Sequence, residues 1–440
     1  MSPESVSPAR ALLEATAMPS HSDHTGFAPD PAIRKHRTAE VTVTVTENGA
    51  PIADREVTIA QRDHKFLFGC IGFDFLPLAN GVPAAGSPEA AEAERLADLW
   101  FGLFNFATLP FYWGQFEPER GRPDTARLLA AARWFAERGC VVKGHPLAWH
   151  TETAEWLKDL SNADIAREQV ARIKRDMTDF AGLIDMWDVI NEVVIMPIFD
   201  KYDNGITRIC REMGRIPMVR MVFDAAREAG PHATLLLNDF DMSAAYECLI
   251  EGVLEAGIEI DALGLQSHMH QGYWGEEKTL DVLERFSRYG LPIHFTETTL
   301  VSGHLMPPEI VDLNDYRIAE WPSTPEGEAR QADEVVRHYK TLLSHPSVEA
   351  MTYWGLSDRG AWLGAPGGFV RADGTPKPSY EALRSLIKGE WWLAPTTTTT
   401  DADGRARFSG FLGEYELTAA GTTTTFRVDR PGDNALAVSL

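Results

Sequence analysis

Two glutamates stand where carboxyl chemistry is to be expected. Glu192 closes the apolar run Met186-Trp-Asp-Val-Ile-Asn-Glu, and Glu297 closes Pro292-Ile-His-Phe-Thr-Glu. Each run has the length and character of a buried strand, where an unpaired charge is costly. Two carboxyl groups facing one pocket are the minimal equipment for breaking a glycosidic bond. The competing reading is a pair of structural glutamates that merely cap two strands.

The neighbouring residues weigh between these readings. Glu192 follows Asn191, whose amide suits a sugar 2-hydroxyl. Glu297 needs hydrogen-bond donors if it is to stay ionised, and Gln266 and His268 in Gly264-Leu-Gln-Ser-His are placed to supply them. Further strand ends read Gly144-His-Pro-Leu-Ala-Trp-His150, Leu237-Asn-Asp-Phe-Asp241 and Thr352-Tyr-Trp-Gly-Leu-Ser-Asp358, the last followed by Trp362. The face of Trp354 or Trp362 suits a pyranose ring, covering C–H groups and leaving hydroxyls at the rim. Tryptophan is also a core filler, the stronger reading for Trp113 and Trp156. A metal centre built from His145, His150, His268, His270 and Asp239 is a rival, since His-x-His is a ligand spacing. No further motif completes it, and neither a metal nor a cofactor is expected.

Eight apolar runs carry these residues: Phe66–Cys70, Phe104–Leu109, Val141–Trp149, Met186–Val193, Thr234–Phe240, Ala262–His268, Pro292–Thr298 and Ala350–Leu356. Amphipathic spans lie between them, among them Thr125–Arg138, Asp164–Phe180, Pro217–Ala229 and Glu328–Leu343. Near-continuous apolar strands alternating with helices predict an α/β fold, a (β/α)8 TIM barrel over residues 62–390. Its active site belongs at the C-terminal strand ends, with long loops at 195–216 and 300–325 available for substrate. The flanks differ. Residues 1–36 lack periodicity and read as an irregular arm. Residues 37–61 read as a β-hairpin turning at Asn48-Gly49. Residues 391–440 hold four short strands, at Arg405–Phe408, Gly413–Thr418, Thr422–Val428 and Ala435–Val438. The two ends are expected to join in one small accessory β-sandwich. Packing on the barrel is its simplest role and carbohydrate binding the alternative, because it shows few surplus aromatics beyond Trp391, Trp392 and Tyr415.

Composition limits the partners. The 440 residues carry a formal net charge of −23, which argues against nucleic acid and anionic membrane surfaces. Carbohydrate or another β-glycoside remains the expected partner; the oligomeric state is left open. Cys70, Cys140, Cys210 and Cys248 show no paired spacing and read as thiols rather than a disulfide framework. No run reaches the roughly 18 apolar residues of a membrane span. No signal-peptide h-region is visible, so a cytoplasmic location is favoured unless a signal was removed.

In this order on successive strands, the motifs from Gly144-His-Pro-Leu-Ala-Trp-His150 to Thr352-Tyr-Trp-Gly-Leu-Ser-Asp358 resemble glycoside hydrolase family 10, the endo-β-1,4-xylanase family. The resemblance spans residues ~62–390 and implies a retaining β-glycosidase acting on xylan-type oligosaccharides. It makes Glu192 the general acid/base and Glu297 the nucleophile. It places His145 and Trp149 on the sugar in subsite −1, and Trp354 and Trp362 at the aromatic floor and leaving-group side. The chain also departs from the family pattern. Where Glu-Asn-x-Met-Lys-Trp is usual, it has Thr108-Leu-Pro-Phe-Tyr-Trp113, so Leu109 and Tyr112 replace the asparagine and lysine that grip the −2 sugar. Thr299 replaces the aspartate two residues after the nucleophile, and Asp241 stands where asparagine is frequent. The expectation is therefore intact bond-breaking chemistry with an altered glycone preference. A carbohydrate-binding barrel without catalysis is the alternative.

Overall fold

The computed structural model describes residues 29–440. Residues 38–64 supply strands β1 (Thr38–Glu47), β2 (Ala50–Pro51) and β3 (Glu56–His64). The barrel follows with β4 (Leu67–Ile71), β5 (Phe106–Pro110), β6 (Val141–His145) and β7 (Met186–Asn191). It continues with β8 (Thr234–Asp239), β9 (Ala262–Met269), β10 (Ile293–Leu300) and β11 (Val348–Tyr353). These eight strands close in chain order, β11 pairing with β4, and every pairing is parallel. Phe68, Phe106, Val142, Val189, Leu236, Leu263, Phe295 and Met351, one from each strand, are all no more than 3% exposed. Burial on both faces is what the unbroken apolar runs require. Several of the surrounding helices start at side-chain caps, for example Ser161 accepting from the Asp164 N–H at 3.2 Å and Thr324 from the Gly327 N–H at 3.0 Å. The expected third strand is shorter than its motif. The chain leaves the ladder after His145, and Ala148 alone bridges back to Ile190.

The last strands are β12 (Thr396–Thr399), β13 (Arg405–Phe411), β14 (Gly413–Ala419), β15 (Thr422–Val428) and β16 (Gly432–Ser439). They form two four-stranded sheets with the N-terminal strands, ordered β13-β1-β16 with β2 on β1, and β12-β3-β14-β15. Val41, Val43, Val57, Ile59, Tyr415 and Leu417 fill the space between them.

Three expectations for the flanks need correction. The 37–61 segment is not a simple hairpin: after Asn48-Gly49 only β2 returns along β1, and β3 crosses to the opposite sheet. The C-terminal segment has five strands rather than four, because the threonine run pairs with β3 as an edge strand, with Thr397 and Thr58 hydroxyls 3.0 Å apart. Pro29–Arg37 is a helix rather than part of an irregular arm, while residues 1–28 lie outside the described residues. That helix is anchored by the Arg37 guanidinium, which donates to the carbonyls of Leu343, His345 and Val348 at 2.6–2.8 Å. Trp391 and Tyr415 are buried, and Lys388 lies 4.2 Å from the Trp392 ring, so these aromatics serve packing.

Candidate active site

Both glutamates are aimed by local breaks in strand regularity. The register of β10 shifts against β9 between Phe295 and Glu297, and that of β7 shifts against β8 between Asp188 and Ile190. Such irregularities re-aim side chains next to active sites. Glu192 itself has φ 59°, a left-handed conformation that a non-glycine residue holds only under support. The end of β8 supplies it. The Glu192 N–H donates to the Asn238 carbonyl at 2.9 Å, and Asp239 accepts the Val194 N–H at 3.0 Å. Burial is the main reason the Asp239 carboxyl rises to about 7.

The two carboxyl groups sit in unlike surroundings. Glu192 is half-buried; its Oε2 accepts the Trp149 indole N–H at 2.9 Å, and Oε1 accepts amide N–H groups of Asn191 at 3.1 Å and Gln266 at 3.2 Å. Desolvation, reinforced by the charge of Glu297, pushes Glu192 up to about 8 despite those donors. Glu297 is 4% exposed; its Oε1 accepts from the Asn238 amide at 3.0 Å, and its Oε2 lies 3.0 Å from His268 Nε2. One carboxyl is thus held in its acid form near neutrality while the other is surrounded by donors.

An amide chain joins them. Asn191 Oδ1 accepts from both Gln266 at 3.1 Å and Asn238 at 2.7 Å. Thr296 orients Asn238 by donating to its Oδ1 at 2.6 Å. Gln266 therefore serves Glu192 and Asn191, not Glu297 as the sequence suggested, because Asn238 already occupies the facing Glu297 oxygen. Asn238 is the residue that sequence reasoning missed. It lay within a noted motif, but only the packed barrel shows which carboxylate it faces.

His145 Nε2 lies 3.8 Å from Glu297 Oε1, and its Nδ1 is 2.7 Å from Asp188, which also pairs with buried Lys143 at 2.7 Å. Burial alone would raise Asp188, but Lys143 and His145 outweigh it and hold the carboxyl below its usual range. His268 Nδ1 meets the Thr299 hydroxyl at 3.1 Å, so the position lacking aspartate still provides a partner. Trp354 stands edge-on to His145 at 5.3 Å and to His268 at 5.7 Å, and Trp362 lies 4.8 Å from His268. The nine residues singled out from sequence, Glu192, Glu297, His145, Trp149, Asn191, Gln266, His268, Trp354 and Trp362, are linked by these contacts into one cluster.

The wall at β5 and β6 is aromatic. Tyr112 lies 5.5 Å from Trp149, 5.9 Å from His145 and 5.9 Å from Phe73, a further pocket residue the sequence did not flag. Burial, then the charges of Glu297, Glu152 and Glu192, lift the Tyr112 phenol well above its ordinary value, keeping it a neutral hydroxyl. Leu109 is fully buried and offers nothing to a ligand. Trp113 donates to Glu117 at 3.1 Å and packs on Trp156, a scaffold role for both. Among the described residues no three or more His, Cys, Asp or Glu side chains converge as a metal-holding group.

Comparison with known proteins shows the family and the fold. The sequence model of Glycosyl hydrolase family 10 matches residues 110–386, starting just past Leu109. Endo-1,4-beta-xylanase B of Thermotoga neapolitana is 26% identical over 319 residues, covering 68% of this chain and 84% of that protein. Endo-1,4-beta-xylanase 3 of Hypocrea jecorina is 24% identical over 285 residues, covering 63% and 73%. A GH10 structure from Paenibacillus barcinonensis superposes with a TM-score of 0.60 at 21% identity, over 74% of this chain and 96% of that one.

Proposed function

Since the chain belongs to glycosyl hydrolase family 10, we propose that it hydrolyses β-glycosides with retention by double displacement, with a glycone preference altered from that of ordinary xylanases. Glu297 attacks the anomeric carbon while Glu192 gives its proton to the departing oxygen, leaving a glycosyl ester on Glu297 and a free alcohol. Glu192, now ionised, takes a proton from water as that water's oxygen displaces Glu297, and both carboxyl groups return to their starting states. The observation that carries this reading is the unlike setting of the pair: Glu192 raised to about 8, Glu297 between Asn238 and His268.

The β5 wall supports the altered preference. Leu109 is sealed in the core and Tyr112 offers a neutral phenol among aromatic rings, so no cation or amide at those positions grips a second xylose. A site that loses donors for a hydroxyl loses discrimination for it. The substrate favoured is a β-glycoside with a short or non-xylose glycone. The test is a screen of nitrophenyl β-glycosides and β-linked oligosaccharides, with the first-formed anomer followed by NMR. Retention and a preference for short glycones are expected. An inverted anomer defeats the mechanism; turnover on polymeric xylan at ordinary xylanase rates defeats the altered preference.

A further inference from the structure

The rim of the barrel is uneven. β8 ends at Asp239 and its helix, Ala244–Glu255, begins almost at once; β9 ends at Met269 and the helix Gly275–Ser287 soon follows. On either side the chain is long, from Glu192 to the helix Gly205–Met213 after β7, and from Val301 to the helix Pro325–Ser344 after β10. Two tall loops therefore flank a low stretch over β8 and β9.

That low stretch is bridged. Lys201, on the β7 loop, pairs through Nζ with Asp312 at 2.5 Å and Asp315 at 2.7 Å on the β10 loop. Both abutments are firm. The β7 side is held by Arg211, which donates to the Pro197 carbonyl at 2.9 Å, and by Phe199, packed 4.5 Å from His150. The β10 side has its own small core of Val301, Met306 and Trp321, and Gln271 at the end of β9 donates to the Pro307 and Ile310 carbonyls at 2.9 and 2.7 Å. Beside Lys201, Tyr202 is 48% exposed and packs edge-on against Phe199. Burial is the main reason its phenol is pushed up to about 12, with the charges of Glu152, Glu192 and Asp312 adding to the rise.

In the closed order of eight strands, β9 lies directly across from β5. If β5 faces the glycone, as the proposed function holds, the bridged side is where the leaving group departs. Resting on that reading, we propose that the Lys201–Asp312–Asp315 bridge is a strap across the leaving-group end of the pocket, limiting the departing group to a single sugar unit or a compact aglycone. Lys201 acts through the loops it ties, so it is a positioning residue. Partly exposed ion pairs are individually weak and are screened by salt, so the strap is a selective barrier rather than a seal.

The test compares the full-length protein with Lys201→Ala, Lys201→Arg and the Asp312→Asn/Asp315→Asn double variant. Substrates are the best nitrophenyl β-glycoside and a ladder of β-linked oligosaccharides of the same glycone, labelled at the reducing end. The unmutated protein is expected to release single-unit labelled products. Lys201→Ala and the double variant should release longer ones, with kcat/KM for long over compact leaving groups raised about fivefold. Lys201→Arg should keep the original pattern, and nitrophenyl hydrolysis should stay within about twofold throughout. Long labelled products from the unmutated protein, or an unchanged pattern in Lys201→Ala, overturns the strap while leaving the proposed chemistry standing. Absence of hydrolysis on every β-glycoside overturns the chemistry itself, and the strap with it.

Discussion

Glu192 and Glu297 are the same residue type on the same barrel rim, yet their surroundings push them to opposite tasks. Glu192 sits on a left-handed residue at the end of β7, where desolvation and the facing charge favour its proton. Glu297 sits within a fully buried strand, where Asn238 and His268 converge on its two oxygens. Desolvation and the facing charge outweigh three donors at Glu192, while Glu297 takes one polar contact on each oxygen. Under the proposed function, the division of labour between acid and nucleophile would reside in the neighbours.

The comparison can be broken most severely at the nucleophile. Glu297→Ala leaves no group to form the glycosyl ester, and hydrolysis should fall by about 10⁴-fold or more, read as kcat on the best nitrophenyl glycoside. Glu192→Gln removes the proton donor and should cost roughly 10²- to 10⁴-fold on substrates with poor leaving groups, with less loss when the leaving group is nitrophenolate. In the unmutated enzyme the alkaline limb of kcat/KM should follow Glu192, activity falling as pH rises through about 8. That limb should vanish in Glu192→Gln.

Stability carries the same signature. The folded state holds Glu192's proton far above the carboxyl's ordinary 4.5, so ionising it costs free energy that the unfolded chain does not pay. Stability should therefore decline as pH rises from about 4.5 to about 8, and the Tm of Glu192→Gln should gain on the unmutated protein across that window. Parallel Tm curves would show that burial does not set this carboxyl.

Smaller changes sharpen the contrast. Asn238→Ala withdraws a donor from Glu297 and from Asn191 together and should lower kcat about 10²-fold. Thr299→Val removes only the hydroxyl behind His268 and should cost under about tenfold, with KM little changed. A larger loss from Thr299→Val than from Asn238→Ala would reverse the ranking of the two contacts.

The barrel was legible because both faces of its strands are buried, so β4 to β11 appear as apolar runs that need no partner to be seen. The glutamates were legible because charge at the end of such a run is anomalous. What escaped depended on direction and pairing. Gln266 and Asn238 lie on neighbouring strands, and the register shift before Glu297 decides which of them reaches it. Alternation in β1 and β3 marks one buried face on each strand, but the same pattern serves two strands in one sheet or two facing sheets. The threonine run of β12 has no apolar face to detect, since it is held at an edge by backbone pairing. The helix Pro29–Arg37 has few apolar residues, and its anchor is a guanidinium reaching carbonyls some 300 residues away.

Strand β1 lies between β13 and β16, both among the last residues of the chain. During synthesis it leaves the ribosome before either neighbour exists, with Val41, Val43 and Val45 uncovered and only its end at Thr46 and Glu47 able to pair, with β2. The barrel can assemble in the interval, but the sandwich must wait for residues 405–439. A chain cut short before residue 405 lacks both β13 and β16, so the valines of β1 stay uncovered and the strand offers itself for pairing with other chains.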